Sequence, residues 1–205
     1  MNRDAMKKPL SLLAGLALPF ALTISLSACD SQPPAEKPPL AGAAIGGPFT
    51  LVDKDNRTVR WEDFAGQYRV VYFGYTFCPD ACPMDVAAMM QGFARFEKAQ
   101  PQLAGQVQPI FISIDPARDT PQAVGEFSAA FHPRLLGLTG TPEQVATAAK
   151  AFAAYYAKGK ESAGGYLLDH SRVAYLMDRQ GKPIAMLPID QSPDAVAAEL
   201  AKWVK

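Results

Sequence analysis

The run Tyr72-Phe-Gly-Tyr-Thr-Phe-Cys78-Pro-Asp-Ala-Cys82-Pro83 constrains this chain more than any other stretch. An apolar, aromatic segment stops at Gly74, and two cysteines follow with three residues between them, each preceding a proline. Helical periodicity begins at Met84, so the stretch reads as strand, short loop and helix start. A thiol at the mouth of such a turn lies near the positive end of a helix dipole, which favours thiolate over thiol. On one helical turn, sulfurs four positions apart share a face, with a rise of about 6 Å between their α-carbons. That spacing permits a disulfide and equally permits one soft metal ion between both sulfurs.

The rest of the chain is ordinary globular material. Of 205 residues 49% are hydrophobic, and 20 Lys and Arg balance 20 Asp and Glu. That is enough apolar matter for one good core. With no basic run outside the extreme N-terminus, nothing marks a nucleic-acid binder.

Residues 1–28 read as a signal peptide: Arg3, Lys7 and Lys8 lead an almost uncharged apolar run over residues 10–26. The run closes on Leu26-Ser27-Ala28-Cys29, which resembles the lipobox of bacterial lipoproteins, cleaved before a cysteine that then carries lipid. About 17 apolar residues is also near the lower limit for a spanning helix, so an uncleaved anchor is the alternative. Both tether the domain to the outer face of the cytoplasmic membrane. Asp30, directly after Cys29, resembles an inner-membrane retention signal, which implies the periplasmic face of that membrane. Residues 29–44 then form the lipidated cysteine and a tether whose segment 31–39 is stiff and proline-rich.

From residue 45 to residue 205 the pattern is one α/β domain. Phe49-Thr-Leu-Val52 and Thr58-Val-Arg-Trp61 alternate on either side of the turn Asp53-Lys-Asp-Asn56, predicting a hairpin. Residues 61–66 read as a helical turn ending on glycine, 68–75 as a strand buried on both faces, 83–99 as a helix and 107–114 as a second buried strand. Thr120-Pro121, Thr141-Pro142 and Ser192-Pro193 are cap-plus-proline starts for helices over 122–131, 141 to about 158, and 194–204. A short strand over 135–138, a polar loop over 159–165, and a closing hairpin of 172–177 with 184–189 complete the reading. This order is thioredoxin-like: a central mixed sheet flanked by helices. The early hairpin and the helix near 143–158 are additions to it.

With Cys29 assigned to lipid, Cys78 and Cys82 are the remaining thiols. One close pair in an oxidising compartment is not a structural framework, so it is redox-active or metal-binding. There are two histidines. His132, in Phe-His-Pro at a helix end, reads as a capping residue. His170 follows Asp169 in a loop that this fold order brings to the same edge as the cysteine loop. Alone it reads as a turn histidine; beside two thiolates it reads as a third donor. Zinc takes four ligands, or three and a water. Copper(I) is satisfied by two or three soft donors, and copper(II) accepts the same set plus an oxygen. Met89 and Met90 read as core, and Met84, although near the pair in sequence, is left outside the site.

Several segments resemble the SCO/SenC family, in that family's order. They are Gly-Tyr-Thr-Phe-Cys78-Pro-Asp-Ala-Cys82-Pro, Phe-Ile-Ser-Ile-Asp115-Pro-Ala-Arg-Asp-Thr-Pro, Leu-Thr-Gly-Thr-Pro-Glu, Tyr155-Tyr156 and Leu-Leu-Asp-His170-Ser. The resemblance implies a thioredoxin-like fold and a copper site made by Cys78, Cys82 and His170. It also implies a role in building the dinuclear copper centre, CuA, of cytochrome c oxidase. The expected partners are oxidase subunit II and other periplasmic copper chaperones or thioredoxin-like reductants. The Asp115 motif reads as structural, with Asp115 and Asp119 bonding backbone amides and Arg118 pairing with either. Two functions follow. One is a copper metallochaperone; the other is a thiol-disulfide reductase that keeps the CuA cysteines reduced. A peroxidase fits poorly, because it wants an arginine beside its cysteine and none is close in sequence.

Overall fold

The computed structural model describes residues 36–162 and 165–205; the expected signal peptide, Cys29 and the expected tether up to residue 35 lie outside them. An antiparallel hairpin comes first, β1 (Thr50–Val52) with β2 (Thr58–Arg60). The Asp53 carboxylate closes its turn by accepting the N–H groups of Asp55 and Arg57. A single 3-10 turn (Trp61–Phe64) leads into β3 (Tyr68–Gly74), every residue of which is buried. Then follow α1 (Ala81–Ala99), the short α2 (Pro101–Ala104), β4 (Val107–Ser113), α3 (Pro121–Phe131), β5 (Leu136–Leu138) and α4 (Pro142–Ala151). The chain ends with β6 (Tyr156–Ser162), β7 (Gly165–His170), β8 (Ala174–Met177), β9 (Pro183–Leu187) and α5 (Pro193–Trp203).

Five strands form the central sheet in the order β5-β4-β3-β8-β9, parallel from β5 to β3 and antiparallel beyond. Both faces are covered. Val70, Tyr72 and Phe111 pack with Val86, Met89 and Phe93 of α1 and Val196 and Leu200 of α5. On the other face, Val71, Phe73, Ile110 and Ile112 pack with Leu51 and Trp61 of the early hairpin and its turn, and with Val145 and Phe152 at α4. Strands covered on both sides carry no polar alternation, which is why β3 and β4 read as apolar runs. Three helices start as their sequence predicts: Thr120, Thr141 and Ser192 each accept a first-turn N–H in front of a proline.

Three expectations need correction. Helix α4 stops at Ala151 rather than near residue 158, because Phe152 turns inward to full burial against Trp61 and Ala153 takes φ 50°. The supposed polar loop over 159–165 is largely strand: β6 pairs with β7 as a separate two-stranded sheet, so 166–170 are strand too. Pairing across the hairpin, not local propensity, makes these polar residues extended. Finally, α1 opens at Ala81, so Cys82 lies in its first turn while Cys78 stands ahead of it.

The sheet topology decides what meets at its end. Tyr72 of β3 pairs antiparallel with Ala174 of β8. The chain leaving β3 toward the cysteines and the chain entering β8 from His170 therefore occupy the same edge.

Candidate metal centre

Cys78, Cys82 and His170 come together at that edge, with one donor atom from each lying within 4.8 Å of the others. Both thiols are free. Cys82 is fully buried, whereas Cys78 and His170 are partly exposed, so the group is closed on the protein side and open on one flank. Gly74 makes room for the buried sulfur: a Cβ there would stand 3.3 Å from Cys82 Sγ and 2.9 Å from the Tyr72 ring. A larger residue at the end of β3 would press on the Tyr72 and Phe111 rings and crowd the thiol.

Cys78 takes a role that the helix start leaves vacant. Asp80, the N-cap of α1, makes no side-chain cap bond. Instead Cys78 Sγ accepts the first-turn N–H of Cys82 at 3.3 Å. Burial works to raise the Cys78 pKa, but the N–H groups of Cys82 and Asp80 and the Tyr75 hydroxyl outweigh it, and the net shift is downward. Burial pushes Cys82 well up, and the neighbouring Cys78 adds to that push. The pair is thus split into an outer, thiolate-prone sulfur and an inner, protonated one.

The imidazole is oriented from behind. His170 Nδ1 lies 2.9 Å from the Ser171 carbonyl, which can only accept, so Nδ1 carries a proton and donates. In the neutral ring Nε2 then holds the lone pair, and it faces Cys82 Sγ at 3.0 Å. A ring nitrogen fixed by such a bond on its far side is the usual arrangement for a metal-ligating histidine. The rings of Tyr72 and Tyr75 stand edge-on to the imidazole at 6.3 and 5.9 Å between centroids. Tyr75 also accepts the Leu168 N–H through its hydroxyl at 3.2 Å, tying β7 to the cysteine loop.

The Asp115 motif holds that loop, though not quite as expected. Asp119 accepts the N–H and hydroxyl of Thr76 at 2.9 and 2.6 Å and the Ser113 hydroxyl at 2.6 Å. Asp115 binds side chains rather than amides: Arg118 Nε at 2.5 Å and the Tyr166 hydroxyl at 2.7 Å. Arg118 stacks on Tyr166 at 3.7 Å and stands over Phe77 at 4.9 Å. An arginine does therefore approach the cysteine loop in space, but Asp115 and Tyr166 already engage it.

His132 and the two inner methionines are engaged elsewhere. His132 caps α3: its backbone N–H reaches Ser128, Nδ1 accepts the Arg134 N–H at 3.2 Å, and the ring stands edge-on to Phe93. Met89 and Met90 are core, and Met84 is exposed. Sequence reasoning missed Asp85, Arg172 and Tyr72. Asp85 is 2% exposed and accepts the Tyr72 hydroxyl at 2.9 Å and Arg172 at 2.9 and 2.6 Å. One signal was available: an acid on the stripe Cys82, Val86, Met89 and Phe93 is out of place unless it has a partner.

A buried thiol and an outer thiolate beside a tautomer-locked imidazole, at the end of a mixed sheet, define a thioredoxin-like domain with a soft-metal or dithiol site. The SCO1/SenC family profile matches residues 37–205, and the chain belongs to that family. It is 38% identical over 174 residues to the mitochondrial SCO1 homolog 1 of Arabidopsis thaliana, covering 83% of this chain and 51% of that protein. To SenC of Rhodobacter capsulatus it is 42% identical over 160 residues, 77% of this chain and 69% of SenC. The chain thus spans about half the length of the mitochondrial relative. The crystal structure of Arabidopsis thaliana ScoI with copper bound superposes with a TM-score of 0.72 at 36% identity, covering 78% of this chain and 98% of that one.

Proposed function

We propose that this protein is a copper metallochaperone that binds copper through Cys78, Cys82 and His170 and passes it to the CuA centre of cytochrome c oxidase. One observation carries the reading: two sulfurs and a lone-pair nitrogen converge within 4.8 Å on a flank open to solvent. Three soft or borderline donors suit copper(I), while zinc would want a fourth. The copper in Arabidopsis ScoI supports the same cargo here. An open flank lets an acceptor's cysteines replace the protein's ligands one at a time. The family resemblance supports oxidase subunit II as the acceptor. Lipid on Cys29 and the tether of residues 29–44 would hold the domain on the periplasmic face of the inner membrane.

The split thiols also favour a second use, reduction of the acceptor's disulfide. The Cys78 thiolate attacks one acceptor sulfur, the S–S bond breaks, and an acceptor thiolate leaves. Cys82 then gives its proton to His170 Nε2 and attacks Cys78, releasing the second acceptor thiol. Two electrons pass to the acceptor, and Cys78–Cys82 is left as a disulfide. An acceptor must hold reduced cysteines before it takes copper, so both steps can serve one assembly. Anaerobic mixing of the copper-loaded protein with a soluble, reduced CuA domain tests the proposal. The CuA spectrum should develop as copper leaves this chain. No transfer to the reduced domain, with transfer of electrons to the oxidised one, would leave the reductase alone.

A further inference from the structure

Arg172 is held where it can set the position of a ligand it never touches. Its guanidinium meets Asp85 through two parallel bonds, Nε to Oδ2 at 2.9 Å and Nη2 to Oδ1 at 2.6 Å. Asp85 is 2% exposed and Arg172 51%, so the bond spans from the interior to the surface. Such a fork fixes both distance and plane, which a lysine in the same place could not do. Asp85 stands three residues beyond Cys82 on α1, and Arg172 two residues beyond His170. Between His170 and Arg172 lies Ser171, whose carbonyl takes the Nδ1 proton of the imidazole. Ser171 is held from the other side as well: its N–H reaches the Tyr155 carbonyl at 2.9 Å, and its hydroxyl accepts the Tyr155 N–H at 3.0 Å. These links close a ring running from Cys82 along one turn of α1 to Asp85, across to Arg172, back through Ser171 to His170, and from Nε2 to Cys82 Sγ.

We infer that the Asp85–Arg172 fork is a positioning pair that fixes the His170 imidazole against Cys82, so that the third donor is presented to copper already in place. The inference rests on His170 being a copper ligand. The thiols need no such help, being set by β3, Gly74 and the first turn of α1. The imidazole does need it, because β7 is outside the central sheet and is followed by the short 171–173 connection into β8. Tyr72 completes the arrangement by donating to the same Asp85 oxygen that takes Arg172 Nε.

A double-mutant cycle decides the matter: Arg172→Ala and His170→Ala, singly and together, with Asp85→Asn as the variant that keeps a hydrogen-bonding group beside Tyr72. Copper(II) is added to each, and the nitrogen hyperfine splitting and the affinity are read; the His170 ring N–H is followed by NMR in the metal-free protein. Arg172→Ala and Asp85→Asn should each lower affinity by about 10- to 100-fold, the range seen when support behind a metal-bound histidine is removed. Both should weaken the nitrogen splitting and speed exchange of the ring N–H. On the His170→Ala background Arg172→Ala should change nothing further. An equal loss on both backgrounds, or an unchanged splitting, overturns the positioning role while leaving His170 a ligand. If His170→Ala alone leaves the splitting intact, the ligand assignment itself falls, and this inference with it.

Discussion

Cys78 and Cys82 stand on the end of the central sheet between β3 and α1, whereas His170 arrives on a two-stranded hairpin outside that sheet. The thiol region is core. Every residue of β3 is buried, Cys82 is fully covered, and Asp119 binds the loop at Thr76 from beneath. The hairpin is surface: along β7 only Leu168 is buried, packing in one apolar cluster with Tyr75 and Cys82, and side-chain bonds supply the rest of its hold. Tyr75 holds Leu168, Arg118 and Asp115 hold Tyr166, and Asp85 holds Arg172. Two donors thus belong to the fold, while the third is mounted on it. The proposed carrier role would gain from that division, because one ligand could move without unfolding the pair.

The largest effect should come from the thiol side. Asp119→Ala would leave three buried or part-buried donors without their acceptor, and unfolding free energy should fall by about 3 kcal/mol. Denaturant titration reads the loss. A change confined to the loop, with no drop in global stability, would show that the thiol loop is no more part of the core than the hairpin is. Copper binding should respond to pH in a way the thiols dictate. Cys82, raised by burial, must give up a proton when copper enters, while Cys78, lowered on balance, contributes a second proton only at lower pH. Binding releases protons, so acid opposes it: affinity should fall about tenfold per pH unit on the alkaline side and more steeply below the Cys78 pKa. Competitive titration with a chromophoric copper(I) ligand measures this slope, and a flat profile would contradict it. The smallest effect belongs to the hairpin. Tyr166→Phe removes the bond to Asp115 and should cost about 1 kcal/mol. Hydrogen exchange should quicken over β6 and β7 and stay unchanged in β3.

What could be read from the sequence follows the same division. The cysteine loop is a local pattern in which an apolar run, a glycine, a spaced pair and a helical period suffice. The cap-plus-proline helices were legible for the same reason. The hairpin was not. Its alanine-rich approach through Ala153 and Ala154 continues the helical period of α4, and Gly159 and the charged residues around it disfavour a strand. Only the pairing of Tyr156 with His170 and Lys158 with Leu168, contacts distant in sequence, turns these residues extended. His170 entered through the order of the elements and the family resemblance, since a histidine before a strand carries no signal of its own. Arg172 and Asp85 are 87 residues apart and announce themselves only when the chain is folded.

X-ray absorption on the copper(I)-loaded protein, prepared without oxygen beside its His170→Ala variant, probes the convergence of sulfur and nitrogen most directly. The arrangement of Cys78, Cys82 and His170 predicts two sulfur neighbours and one nitrogen for the parent, and two sulfurs alone for the variant. A parent spectrum with no nitrogen, or a variant indistinguishable from it, would show that the imidazole serves the thiols and never the metal.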